Sequence, residues 1–136
     1  MDKAVFELKN KGIRVTPQRL EVFTLLRGKN KHLTVGEICG KIKKRFPALS
    51  VATVYAILDL FKQKRLVSEV RIQPDCACFE TNIELHHHFF CRKCKKIIDL
   101  DMPSCQALRW RRVQGHEIEE LAGYIYGICR ECGRKQ

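Results

Sequence analysis

Residues 50–83 read SVATVYAILDLFKQKRLVSEVRIQPDCACFETNI, and within this stretch the hydrophobic period changes. From Ser50 to about Lys64, Val54, Ile57, Leu58 and Phe61 recur three and four positions apart, the spacing of one buried helix face. Ser50 stands where an N-cap belongs. After Arg65 the period becomes two. Residues 66–72 and 76–83 read as strands joined by a turn near Pro74-Asp75. Helices followed by a two-stranded hairpin are the pattern of a winged helix, whose last helix reads DNA. Thr53, early in that helix, lies where a hydroxyl and the helix N-terminus suit a phosphate.

The upstream sequence supplies the other helices. One covers residues 3–10 and stops at Gly12. Thr16-Pro17 is a cap followed by a first-turn proline, opening a helix to about Arg27 with Leu20, Phe23 and Leu26 as its stripe. Thr34 with Glu37 forms a capping box, and Val35, Ile38, Cys39, Ile42 and Phe46 keep helical spacing until Pro47. Downstream, the pattern reads β-α-β: strands near 86–90 and 96–100, a helix after Pro103, and a strand near 124–128. The expected fold is α+β, a winged-helix DNA-binding domain over 1–83 followed by a small, metal-rich α/β domain over 84–136.

Composition agrees with that division. The 136 residues are 45% hydrophobic and 30% charged, enough to fold. No apolar stretch approaches a membrane span, and the N-terminus lacks a secretory signal, so the expected location is cytoplasmic, away from membranes. The net charge of +11 favours a polyanionic partner. Residues 1–83 carry 16 basic and 8 acidic side chains, residues 84–136 carry 10 and 7. Seven of the eight cysteines follow residue 75, and four of the five histidines follow residue 85. In a reducing compartment such cysteines point to metal rather than to disulfides.

Cys91-x-x-Cys94 and Cys129-x-x-Cys132 offer four thiolates in two knuckles, the donor set of a closed, structural zinc site. A thioredoxin-like role is disfavoured, since neither pair is expected to open a helix after a strand in a βαβ unit. His86 and His88 share one face of a strand, with His87 on the other. Glu80 and Asp99 lie on neighbouring strands, and His32 precedes the capped helix. Such donors suit Fe(II), Mn(II) or Zn(II). Taken alone, His32 reads as a surface residue; as a ligand it would tie the two domains together and make the metal a switch. Cys76 and Cys78 share strand parity with Glu80, Cys39 reads as core, and Cys105 has no assignable role.

Gly12-Ile13-Arg14-Val15-Thr16-Pro17-Gln18-Arg19, Ser50-Val51-Ala52-Thr53-Val54-Tyr55, His86-x-His88-x-x-Cys91-x-x-Cys94 and Tyr124-x-Tyr126-Gly127-x-Cys129-x-x-Cys132 together resemble the ferric uptake regulator family. The resemblance implies a homodimeric repressor that binds palindromic, AT-rich double-stranded DNA when loaded with a regulatory metal. It implies that the four-cysteine zinc supports a dimerisation domain, and that His32, Glu80, His86, His88 and Asp99 hold the regulatory iron, Fe(II), or manganese, Mn(II). It also implies DNA contacts by Arg14, toward the minor groove, and by Tyr55. Asp99 and the Gly12 to Arg19 opening resemble the peroxide-sensing branch, in which iron-bound peroxide oxidises a ligand histidine, here His32 or His86. Glu80 departs from that branch, which usually has Asp. Ala56 departs from iron regulators, which often carry Arg there. An additional site of many iron regulators is absent, its positions being His87, Gln106 and Leu121. The alternatives are an iron-uptake repressor and then a zinc-uptake repressor, the latter with Cys78 as a shifted ligand.

Two readings of other classes carry less. A zinc hydrolase would need a positioned base, and nothing positions Glu84 or Asp101. That reading would also leave the DNA module without a role; the second is a purely structural zinc-knuckle adaptor that binds protein, which an operator shift insensitive to every added metal would favour. The expected chain is not an enzyme.

Overall fold

The helix over Val51–Gln63 (α4) begins as its sequence requires. Ser50 is extended, and its Oγ accepts the Thr53 N–H at 3.1 Å. Its far end closes in a Schellman turn: the Leu66 N–H donates to Phe61 O, and the Arg65 N–H to Lys62 O. Arg65 therefore takes φ +56°, which a glycine would adopt with less strain. That turn consumes Leu66, so the first wing strand begins at Ser68 and not at 66.

The computed structural model describes residues 3–28, 32–73, 75–81, 83, 86–100, 111–119 and 123–134. It divides into two units, 1–83 and 84–136. In the first, α1 (Lys3–Asn10) stops at Gly12, whose φ of +71° closes a second Schellman turn through Ile13 N–H to Leu8 O at 2.9 Å. Then come α2 (Pro17–Leu26), β1 (Leu33–Thr34), α3 (Val35–Ile42), α4, β2 (Ser68–Gln73) and β3 (Cys76–Glu80). Thr16 and Thr34 cap α2 and α3, accepting the N–H groups of Arg19 and Glu37. β3 pairs antiparallel with both β1 and β2, giving the order β1-β3-β2. This is a winged helix with a three-stranded wing sheet.

Two expectations change here. α3 ends at Ile42, because Arg45 and Phe46 N–H groups bond back to Ile42 O as a closing turn. β1 was not expected, since two residues cannot display a strand period. The core joins α1 to α4 with the inner face of the wing sheet: Leu8, Phe23, Ile38, Leu58, Phe61 and Phe79 are buried in it. Phe23 and Phe61 meet edge to face at 5.7 Å.

The second unit contains β4 (His87–Cys91), β5 (Ile97–Leu100), β6 (Arg112–Val113), β7 (His116–Glu117), β8 (Tyr124–Gly127) and α5 (Arg130–Arg134). β4 is central, antiparallel to β5 and parallel to β8. The helix expected after Pro103 lies outside the described residues up to 110. At its end Arg112 and Val113 are strand, turned by Gln114 and Gly115 at positive φ onto β7. No described helix is long and apolar enough to cross a membrane.

Phe61→Ala should cost about 3–5 kcal/mol, the range for deleting a fully buried ring. Phe6→Ala, at a side chain left 65% exposed, should cost little. Denaturant titrations of the zinc-loaded chain followed by helical circular dichroism will show whether the two changes separate in this way.

Candidate metal centres and DNA-binding face

Cys91 ends β4, and its register partner on β8 is Gly127, two residues before Cys129. The two Cys-x-x-Cys turns therefore leave the same end of adjacent parallel strands. Lys95, at φ +65°, closes the first knuckle and donates its N–H to Cys91 O at 2.8 Å. The second knuckle runs into α5, where the Gly133 N–H bonds Cys129 O. Cys129 follows a strand and opens onto a helix, but α5 is the last described element, so no βαβ unit of the thioredoxin kind is formed. Its neighbours still separate it from a redox pair, because all four sulfurs of Cys91, Cys94, Cys129 and Cys132 lie within 4.8 Å of one another.

The dimensions fit zinc. Four sulfurs each about 2.3 Å from one ion at tetrahedral angles stand about 3.8 Å apart. Cys94 Sγ and Cys129 Sγ are 3.8 Å apart. Cys91 Sγ accepts the N–H groups of Cys94 at 3.5 Å and Cys129 at 3.3 Å. The Cys94 N–H foremost, these hydrogen bonds lower the Cys91 thiol to about 6. Hydrogen bonding with the Cys129 thiol, and then burial, pushes Cys132 up to about 12. Four thiolates cannot share this volume without a cation, and a closed tetrahedral zinc supplies one.

Two further clusters carry imidazole and carboxylate, one in each unit. In the first, His32 immediately precedes β1, and extending the Leu33↔Phe79 register by one sets it opposite Glu80. His32 Nε2 lies 2.8 Å from Glu80 Oε2. Glu80 is 1% exposed, and its other oxygen accepts the Ser68 hydroxyl at 3.4 Å. A carboxylate buried this deeply needs a cation beside it. In the second unit, His88 pairs in register with Asp99 on β5. His86 Nε2 and His88 Nε2 stand 3.6 and 3.7 Å from the same oxygen, Asp99 Oδ1, and the two rings are 4.2 Å apart. Those separations suit donors converging on one ion, each about 2.1 Å from it.

His87 faces the other way, as alternation requires, and packs over Gly123. A Cβ there would meet His87 Cδ2 at 2.8 Å, so glycine lets β8 pass. Neither Gly123 nor Ser68 was singled out from sequence; only the strand register brings them to these histidines and to Glu80. Cys78 is buried, and burial foremost, with Cys76, Glu37 and Glu80 nearby, pushes its thiol to about 11. It stays protonated at neutral pH in the metal-free chain. Cys39 is in the core. Glu84, Asp101, Cys105, Gln106 and Leu121 lie outside the described residues.

The DNA-contact candidates all reach solvent. Arg14 is exposed in the loop before α2, its carbonyl held by Arg19 Nη1 at 2.8 Å. Thr53 is exposed at the start of α4, with Oγ1 2.8 Å from Ser50 Oγ. Tyr55 is half exposed on the same helix.

Known proteins resemble this chain along nearly its full length. PerR, the peroxide-responsive repressor of Staphylococcus aureus strain Mu50, is 33% identical over 147 aligned positions covering 99% of this chain and 93% of that protein. The Campylobacter jejuni peroxide stress regulator structure superposes with a TM-score of 0.67 at 29% identity, covering 97% of this chain and all of that one (100%). The ferric uptake regulator of Francisella tularensis, solved with iron, gives 0.71 at 28% identity over 90% of this chain and 96% of its own. The pattern described as the Ferric uptake regulator family matches residues 10–126, and the chain belongs to that family.

Proposed function

We propose that this chain is a metal-dependent transcriptional repressor that responds to peroxide. The observation that carries the reading is the pair of donor clusters: His32 with Glu80 in residues 1–83, and His86 and His88 with Asp99 in residues 84–136. In this reading one regulatory ion draws on all five side chains. The donors are nitrogen and oxygen throughout, which suits Fe(II) and Mn(II). Residues 1–83 are the DNA-binding domain and 84–136 the dimerisation domain of a homodimer. Its partner is palindromic, AT-rich duplex DNA, met by Arg14, Thr53 and Tyr55.

Each group then has a task. Cys91, Cys94, Cys129 and Cys132 hold zinc and fix the end of the β4–β8 pair. Glu80 contributes charge, and Ser68 keeps one of its oxygens oriented. The imidazoles of His32, His86 and His88 bind as neutral donors. A metal bound by both domains selects the conformation that fits the operator. Fe(II), held by these residues, would supply the redox chemistry by which peroxide oxidises a ligand imidazole, His32 or His86, one peroxide oxygen passing to the ring and the other leaving as water. An oxidised imidazole would be a poorer donor, so His32, His86 and their neighbours would hold the metal less tightly and the operator would be released. The PerR relative supports this reading over an iron-availability repressor, which the iron-bearing Francisella tularensis relative keeps as the second one.

The reading is tested by titrating operator DNA with zinc-loaded protein in anaerobic buffer, with Fe(II) or Mn(II), before and after brief micromolar peroxide. Peroxide should abolish binding with Fe(II) alone and add one oxygen to a histidine peptide. Retained binding with both metals would identify an availability sensor. His88→Ala should keep the fold and one zinc per chain. It should weaken regulatory-metal binding about 100-fold or more, beyond the 10–100-fold typical of losing an outer-shell partner; metal titration followed by operator binding measures this. Cys91→Ser should release zinc and unfold residues 84–136, seen as lost zinc stoichiometry and lost dimer in sedimentation.

A further inference from the structure

The exposed surface of α4 poses an electrostatic problem for a DNA reader. Val51, Ala52, Thr53, Tyr55, Ala56 and Asp59 face solvent, and none is cationic. The first cation on the helix is Lys62, bound to Glu69 at 2.5 Å, and Arg71 on the wing bonds that same glutamate at 2.7 Å. Duplex binding nonetheless draws much of its free energy from neutralised phosphates. The cations that neutralise them must come from elsewhere.

Lys41, Lys43, Lys44 and Arg45 crowd the end of α3 and the turn that leads to α4. Arg45 is committed: its Nη1 lies 2.7 Å from Glu21 on α2, and its guanidinium sits over the Phe46 ring. That contact braces the turn. Lys41, Lys43 and Lys44 are exposed, and none forms an ion pair among the described residues. A helix C-terminus favours a cation in its last turn, which accounts for Lys41. It does not account for Lys43 and Lys44 beside it, where like charges repel. A polyanion would relieve that repulsion. In a helix-turn-helix, the helix preceding the reading helix, here α3, crosses the sugar–phosphate backbone.

We infer that Lys41, Lys43 and Lys44 form a phosphate clamp that grips the duplex backbone beside the groove read by α4. This rests on the DNA-binding reading above and divides its labour. The lysines supply affinity that is independent of sequence, and α4 reads base edges through uncharged side chains.

The test compares zinc-loaded, Mn(II)-loaded wild type with Lys43→Ala/Lys44→Ala, titrating operator and random duplex over a range of salt. Each lost phosphate contact should reduce the slope of log K against log salt by about 0.9. Both duplexes should bind more weakly by a similar factor, roughly ten- to a hundredfold near 0.1 M salt. Lys43→Arg/Lys44→Arg should restore the slope. An unchanged slope would reduce these lysines to solvated surface and overturn the clamp. So would a loss confined to the operator, which would make them base readers. Wild type that shows no metal-dependent operator binding would instead overturn the reading on which the clamp rests.

Discussion

Among the described residues of 84–136, four cysteine sulfurs gathered at one end of the β4–β8 pair set the constraint on which the sheet depends. One buried cluster there consists of Cys91, Cys129 and Cys132, with Phe89 packed against it, and Phe90 is buried as well. A unit this small buries little carbon, so a bound metal would add materially to the order of its three-stranded sheet. The cysteines need a cation to coexist as thiolates, and their binding energy then becomes folding energy. The parallel pairing of β4 with β8 delivers both knuckles to the same end of the sheet. The His88–Asp99–Tyr124 row across the sheet depends in turn on the pairing.

The amino-terminal unit works in the opposite way. Its core is a continuous apolar cluster, with Phe23 and Phe61 at its centre and no metal needed to close it. The polar exception is Glu80, buried among strands whose other residues at that depth are apolar or thiol. Its two oxygens are met by His32 Nε2 and the Ser68 hydroxyl, the polar partners its burial requires. The site is thus a local departure from an otherwise consistent core.

The caps and the cysteine spacing were legible in sequence because their partners lie within a few residues. Ser50 with Thr53, Thr34 with Glu37 and Leu8 with Ile13 each meet across one turn. Cys91 and Cys94 likewise share a knuckle. His32 was not legible from its neighbours, since its partner Glu80 is on a strand formed much later in the chain. Only the antiparallel pairing of β1 with β3 joins them, and β1 is too short to show a period. α5 escaped for a related reason: Arg130-Glu131-Cys132-Gly133-Arg134 has no apolar stripe and is closed by the bonds of the second knuckle. The end of α3 was misjudged because Phe46 continues the apolar spacing after the chain has already turned. Its ring is held by the turn itself and by Arg45.

That short strand also links the two chemistries of residues 1–83. His32 sits immediately before Leu33, and Thr34, the other residue of β1, is the N-cap of α3. A force on His32 therefore acts on a segment whose next bond is a helix cap, with no loop to absorb it. α3 packs against α4, and the turn between them is braced by Arg45 on Glu21. On the other side, Glu80 anchors β3, which pairs with β1 and β2 together. An ion that binds His32 and Glu80 pins both β1 and β3, and so fixes the base on which the helix-turn-helix rests. The coupling needs no long pathway. It needs only that one donor precede the strand that caps a helix of the reading motif, which the sequence His32-Leu33-Thr34-Val35 provides.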